Sequence, residues 1–149
     1  LVFSQQQAAA VYAATTGATK GQVYLSPFIG RLDDIGQNGM DLIANIVRMY
    51  KEGDAHVEIL TASVRSLEHF VASIAVGTDI ITSPGKWLTA WAEAGMEVPT
   101  ESSYAPEGLA TMPYEEIDLT QPVDAYNLQH DLTDKGLQRF ADDWNALIA

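Results

Sequence analysis

Four times in its first hundred residues the chain pairs a short apolar run with a stretch whose apolar residues recur at helical spacing. The runs start near Leu1, Val23, Val57 and Asp79. When a helix separates each strand from the next, the strands pair in parallel and the helices cover the sheet. The runs are short, apolar and not cleanly alternating, which suits parallel strands buried on both faces. The expected fold class is therefore α/β.

The helical stretches carry their own punctuation. Ser4 is placed to cap a helix whose face is Ala8, Val11, Tyr12 and Thr15, with Gly17 as the stop. Met40, Ile43, Val47 and Tyr50 mark a second face ended by Gly53. Leu67, Phe70, Val71 and Ile74 mark a third, closed by Gly77. Ser83 and Pro84 read as cap and first position of a fourth, which carries Trp87, Leu88 and Trp91, the two tryptophans as core residues. Between Ser26 and Gly39 the sequence reads as a long loop built on Gly30, Gly36 and Gly39.

From 96 to 131 the pattern fails. Pro99, Pro106, Pro113 and Pro122 interrupt it, and acids recur with no Lys or Arg among them. The expectation is an excursion over the surface with one short helical turn, tacked down by Tyr104, Tyr114 and Tyr126, and contributing little to the site. A last helix starts near Thr133, with Leu137, Phe140, Trp144, Leu147 and Ile148 as its apolar face and Trp144 in the core. The expected organisation is thus four βα units in 1–95, the acidic excursion in 96–131, and a closing helix in 132–149.

Charge narrows the function classes. The net charge is −12, with eight Lys and Arg against twenty Asp and Glu. Nucleic acid and anionic membrane both require a basic surface, so neither is an expected partner. No apolar run approaches the roughly 20 residues of a membrane span. The chain has no cysteine, which excludes disulfide and thiolate chemistry and fits a cytoplasmic setting. His56, His69 and His130 are scattered at spacings that suggest no metal site, and read as ordinary surface or partly buried residues. No cofactor is implied.

The chemistry-bearing residues sit at strand ends. Val23-Tyr-Leu-Ser-Pro-Phe-Ile-Gly-Arg31 and Val57-Glu-Ile-Leu-Thr-Ala-Ser-Val-Arg65 each end a strand in a serine and then an arginine. The C-terminal ends of parallel strands are where α/β folds bind ligands. A guanidinium matches a phosphate or carboxylate, and a serine adds a neutral hydrogen bond. Ser26, Arg31, Ser63 and Arg65 therefore suit a phosphorylated polar molecule. The alternative is surface pairing, of Arg31 with Asp33 or Asp34 and of Arg65 with Glu68. Lys86, on the first turn of the fourth helix, reads as a solvated lysine.

Pattern alone leaves two folds open, an open doubly wound sheet and half of an eight-unit barrel, and leans slightly to the first. The motifs change that balance. Ser26-Pro27-Phe28-Ile29-Gly30-Arg31-Leu32-Asp33 and Ala62-Ser63-Val64-Arg65 resemble segments after the sixth and seventh strands of the transaldolase family. Among its members are the short bacterial transaldolases and the fructose-6-phosphate aldolases. Leu1-Val2-Phe3-Ser4-Gln5 resembles the family's fifth strand and helix start. Leu132-Thr133-Asp134-Lys135-Gly136-Leu137, then Phe140 and Trp144, resembles the closing helix of the short members.

The resemblance implies the C-terminal half of a (β/α)8 barrel, and with it a missing upstream part. A start at Leu1-Val2-Phe3, without Met and within a strand, fits that expectation. It implies an enzyme that forms a lysine Schiff base with a ketose phosphate and passes a dihydroxyacetone unit to an aldose phosphate. The family's lysine and acid–base carboxylates lie on strands before Leu1, so no catalytic residue is expected here. By the same resemblance Arg31, Ser63 and Arg65 bind substrate phosphate, Ser26 binds a substrate hydroxyl, and Phe28 lines the site. Sugar phosphates are the expected ligands, and the complete protein is expected to be a homo-oligomer. Simple aldol cleavage and a non-catalytic phosphosugar-binding remnant are the alternatives.

Overall fold

The computed structural model describes residues 1–102 and 104–148. Ser103 and Ala149, the latter in the expected closing helix, lie outside the described residues. Helix α1 (Gln5–Ala14) precedes strand β1 (Val23–Leu25), and the short α2 (Ile29–Asp33) and longer α3 (Gly39–Tyr50) lead to β2 (Val57–Thr61). Helix α4 (Leu67–Val76), strand β3 (Ile80–Ile81) and helix α5 (Gly85–Glu93) follow, and α6 (Asp131–Ile148) closes the described chain.

The sheet is small, parallel and in sequence order, β1-β2-β3. Val23 pairs with Val57 and Leu25 with Ile59, and Leu60 pairs with Ile80 on the other side. The expected first strand shrinks to a single parallel bridge from Val2 to Pro27, which puts the start of the chain on the outer side of β1. The α/β class and its parallel helix-covered sheet stand, with the barrel itself outside what three short strands display.

Local sequence explains the helix ends. The Ser4 and Ser66 hydroxyls accept from the backbone N–H groups of Gln7 and His69, three residues on. Gly77 ends α4 with a φ of 83°, a left-handed cap that a side chain disfavours. The fourth helix differs from expectation: Pro84 is the flanking residue, Gly85 is the first helical one, and Ser83 provides no cap.

The core lies between α1, α3, α4 and the sheet. Phe3, Leu25, Ile29, Leu32, Leu42, Ile43, Ile46 and Met49 are all but inaccessible. Each such side chain contributes about 1.5–3 kcal/mol by leaving water. Tyr50 donates from its hydroxyl to the Ala8 carbonyl and so ties α3 to α1.

Two expectations about helices fail. The 26–39 stretch is not a loop, because α2 forms inside it and Gly39 opens α3. A Cβ at Gly39 would collide with the Ile29 backbone, so that glycine is set by close packing of α3 on α2. The apolar face of α6 is also not core. Trp144 is 61% exposed, and Leu137, Phe140, Leu147 and Ile148 are exposed with it. Only the first part of α6 docks, through Gly136, Leu132 and the Gln7–Thr133 hydrogen bond at 2.9 Å. Trp87 and Trp91 are half-buried, and α5 buries no residue fully.

The 96–131 segment runs mostly exposed, with a 3-10 turn at Val123–Ala125. It is tied down by several specific contacts. The Asn38 N–H donates to the Ala110 carbonyl, and Gln5 exchanges hydrogen bonds with the Glu115 backbone. The Tyr114 ring lies under the Arg48 guanidinium at 3.7 Å, and Tyr126 is buried with its hydroxyl donating to the Asp118 carbonyl.

Candidate functional site

The segments after β1 and β2 continue side by side beyond the strands. The Ala62 N–H donates to the Pro27 carbonyl, Ile29 N–H to the Ala62 carbonyl, and Gly30 N–H to the Ser63 carbonyl. The first turn of α2 therefore has its orphan N–H groups satisfied by the residues that follow β2. This pairing brings Ser-Pro-Phe-Ile-Gly-Arg against Ala-Ser-Val-Arg at the C-terminal end of the sheet.

Gly30 makes the close approach possible. A Cβ there would collide with the Ser63 carbonyl oxygen and the Arg65 Cγ. The Arg65 stem thus lies on the Gly30 backbone, while Arg31 leaves from the next residue. Ser63 has a φ of 62°, unusual for a residue that bears a side chain, and such a conformation costs of order 1 kcal/mol. Its hydroxyl accepts from the Arg65 Nε at 3.4 Å.

The two arginines have different company. Arg65 binds Asp34 with both guanidinium Nη atoms, at 3.2 and 2.7 Å, and not Glu68. Arg31 pairs with neither Asp33 nor Asp34. Its guanidinium lies over the Phe28 ring at 5.2 Å and the Phe140 ring at 5.4 Å, stacked between the start of α2 and α6. Phe28 is half-buried and also meets Phe3 edge-on. Ser26 follows β1 directly, and its carbonyl accepts from the Val2 N–H. Lys86 is exposed, with its ammonium over Trp87.

His69 belongs to the same neighbourhood, contrary to its reading as an ordinary helix residue. It is 3% exposed. Its Nδ1 accepts from the Arg65 N–H at 3.3 Å, and its Nε2 faces both Asp33 Oδ2 and the Tyr104 hydroxyl at 2.7 Å. Burial lowers the His69 pKa more than the nearby Asp33 carboxylate raises it, which favours the neutral ring that an accepting Nδ1 requires. Tyr104 is pushed up to about 12 by burial first and then by Asp33. From the 96–131 segment, Tyr104 reaches the residues behind Arg65. One signal in the sequence pointed to His69: it shares a helical face with Phe70 and Ser73, a face that must be buried.

His56 is a second buried histidine, at the N-terminal end of β2. Asp54 accepts from both the Tyr12 hydroxyl and the His56 Nδ1, and the His56 Nε2 meets the Thr15 hydroxyl at 2.9 Å. These bonds, Tyr12 foremost, hold the Asp54 carboxyl at about 2. Among the described residues no group of three or more His, Asp or Glu side chains could hold a metal ion, and no helix is long and apolar enough to cross a membrane. A groove of about 460 Å³ opens beside α4, with Leu67, Val71, Ala75, Pro99 and Tyr104 among its walls.

Comparison with known proteins bears on the same residues. The family model described as transaldolase/fructose-6-phosphate aldolase matches residues 1–149. A probable transaldolase of Cytophaga hutchinsonii is 52% identical over 89 residues, 60% of this chain and 38% of the relative. Probable transaldolases of Brucella ovis and Bdellovibrio bacteriovorus are 37% and 35% identical over 97% of the chain, and 47% and 48% of their own lengths are covered. The chain spans about half the length of these two curated relatives.

Proposed function

The chain belongs to the transaldolase/fructose-6-phosphate aldolase family, and on that premise we propose that it supplies the phosphate-binding half of a transaldolase site. The observation that carries this reading is the backbone pairing of Gly30 with Ser63, which sets the two Ser-and-Arg segments against each other at the ligand-binding end of a parallel sheet. Arg65 and Ser63 hold the phosphate of a sugar phosphate, Arg31 adds a second positive charge, Ser26 meets a hydroxyl and Phe28 lines the wall. In so acidic a chain these are the features that admit an anion.

The complete fold in this proposal is a (β/α)8 barrel, with a lysine and acid–base carboxylates contributed by its other half. The lysine amine condenses with the ketose carbonyl and releases water. A carboxylate takes a hydroxyl proton as the carbon–carbon bond breaks and the aldose phosphate leaves. The dihydroxyacetone unit left on the lysine then adds to a second aldose phosphate, and water releases the product. Simple aldol cleavage shares these steps up to the departure of the first aldose. A cytoplasmic setting and a homo-oligomeric complete enzyme belong to the same proposal, on the resemblance alone.

The test is borohydride reduction of the full-length protein with fructose 6-phosphate, followed by peptide mass measurement. The expected adduct is on a lysine upstream of Leu1. An adduct on Lys86, or none at all, overturns the assignment. Arg65→Ala should raise KM for fructose 6-phosphate about tenfold or more, since a charge-assisted hydrogen bond contributes about 1.5–3 kcal/mol.

A further inference from the structure

We propose that His69, Asp33 and Tyr104 are positioning residues that set the Arg65 segment for the substrate's phosphate, and that Tyr104 thereby brings the 96–131 segment into control of affinity. The inference rests on the phosphate role of Arg65 argued above.

The hydrogen bonds define a closed circuit. Because the His69 Nδ1 accepts from the Arg65 N–H, the ring proton belongs on Nε2, where Asp33 Oδ2 and the Tyr104 oxygen both wait at 2.7 Å. The Tyr104 hydroxyl donates in turn to Asp33 Oδ2 at 3.4 Å. The other carboxylate oxygen, Oδ1, accepts from the Gly39 N–H at 2.9 Å and pins the start of α3. Asp33 lies two residues after Arg31 in α2, so one carboxylate fixes the arginine-bearing end of α2 and, through His69, the backbone of Arg65.

The circuit is buried where the arginine is not. His69 is 4% exposed at its side chain and Asp33 19%, whereas Arg65 and its partner Asp34 are both more than half exposed. An exposed ion pair fixes a side chain weakly. The backbone position of Arg65 is therefore held from behind, by a ring that burial keeps in one orientation.

The full-length protein tests this with three variants and one control. The carbonyl of Asn lies near the imidazole Nδ1 position, and the amide of Gln near Nε2. His69→Asn keeps an acceptor for the Arg65 N–H, and His69→Gln does not. The expected result is a KM for fructose 6-phosphate about five- to tenfold higher in H69Q, with kcat within about twofold of wild type, and a KM about threefold higher in H69N, which keeps the acceptor for the Arg65 N–H but loses the Nε2 link to Asp33 and Tyr104. Tyr104→Phe, which removes one oxygen and is expected to fold, should raise KM about threefold. Inhibition by inorganic phosphate should weaken in the same order. Equal KM values in H69N and H69Q, a fall in kcat without a change in KM, or an unchanged KM in Y104F would overturn the proposal. Arg65→Ala separates the two readings. If it leaves KM unchanged, the phosphate assignment itself fails. If it raises KM while H69Q and Y104F do not, only the positioning role fails.

Discussion

Arg65 and Asp34, 31 residues apart, close on each other through two hydrogen bonds at 3.2 and 2.7 Å. The acid occupies the same fork that a phosphate needs. Because both groups are more than half exposed, the pair contributes only about 0–1 kcal/mol. On the phosphate role proposed for Arg65, a dianionic phosphate displaces it and the carboxylate is a weak competitor. Asp34→Asn in the full-length protein should therefore tighten fructose 6-phosphate binding about two- to fivefold by calorimetry. Weaker binding in the variant would mean that Asp34 orients the arginine for the ligand.

Gly30→Ala should be the most damaging small change near the site. The new methyl group meets the Ser63 carbonyl oxygen, which is backbone and cannot swing aside. Overpacking of this kind costs about 1–3 kcal/mol. The expected outcome is a melting temperature lower by roughly 4 °C or more, together with a raised KM, because the same methyl displaces the Arg65 stem. A variant as stable as wild type would show that the pairing of α2 with the Ser63 segment is looser than described.

Arg31→Lys should loosen the docked start of α6. The planar guanidinium stacks on Phe28 and Phe140, and its Nη1 lies beside Gly136, the one fully buried residue of α6. Each stacked contact contributes about 0.5–1 kcal/mol, and an ammonium does not reproduce the planar overlap. Amides of residues 134–141 should exchange about two- to fivefold faster by hydrogen-exchange mass spectrometry. Unchanged exchange would assign the docking to Leu132 and Thr133 alone.

Acid stability should report on Asp54. Its carboxyl titrates at about 2 when folded, below the ordinary 3.8, because Tyr12 and His56 donate to the charged form. A depressed carboxylate stabilises the fold fully above about pH 4, and the contribution is lost as pH falls through about 2. The difference in melting temperature between wild type and Asp54→Asn should be constant near neutrality and shrink across that window. Comparison with the variant removes the effect of the other acids. A difference that persists at pH 2 would refute the linkage.

Much of the scaffold was legible because its signals are local. Ser4 and Gly77 fix helix ends through bonds to residues three or four positions away. The apolar runs at Val23 and Val57 suffice to place β1 and β2. The strand-end motifs placed the arginines in sequence, but their partners were hidden because those depend on the fold. Helix α2 is five residues long and exists because its first N–H groups find carbonyls beyond β2, which no local propensity encodes. Tyr104 comes from a stretch with no periodicity, and only the folded chain brings it to His69. Trp144 misled for the opposite reason: the spacing of an apolar face says that it needs a cover, not that this chain provides one.

The neighbour-by-neighbour order of the sheet also bears on how the chain assembles in time. Each strand pairs with the one made just before it, across α2 and α3 in the first crossover and α4 alone in the second, so closures join neighbouring stretches of sequence and can proceed as the polypeptide lengthens. The bonds from Gln5 to Glu115 and from Gln7 to Leu128 and Thr133 join residues 110 to 126 positions apart. Their entropic cost places them last. The acidic segment is then a late strap over a scaffold already standing, and its removal should slow neither collapse nor strand pairing, only the final locking of α1 against α6.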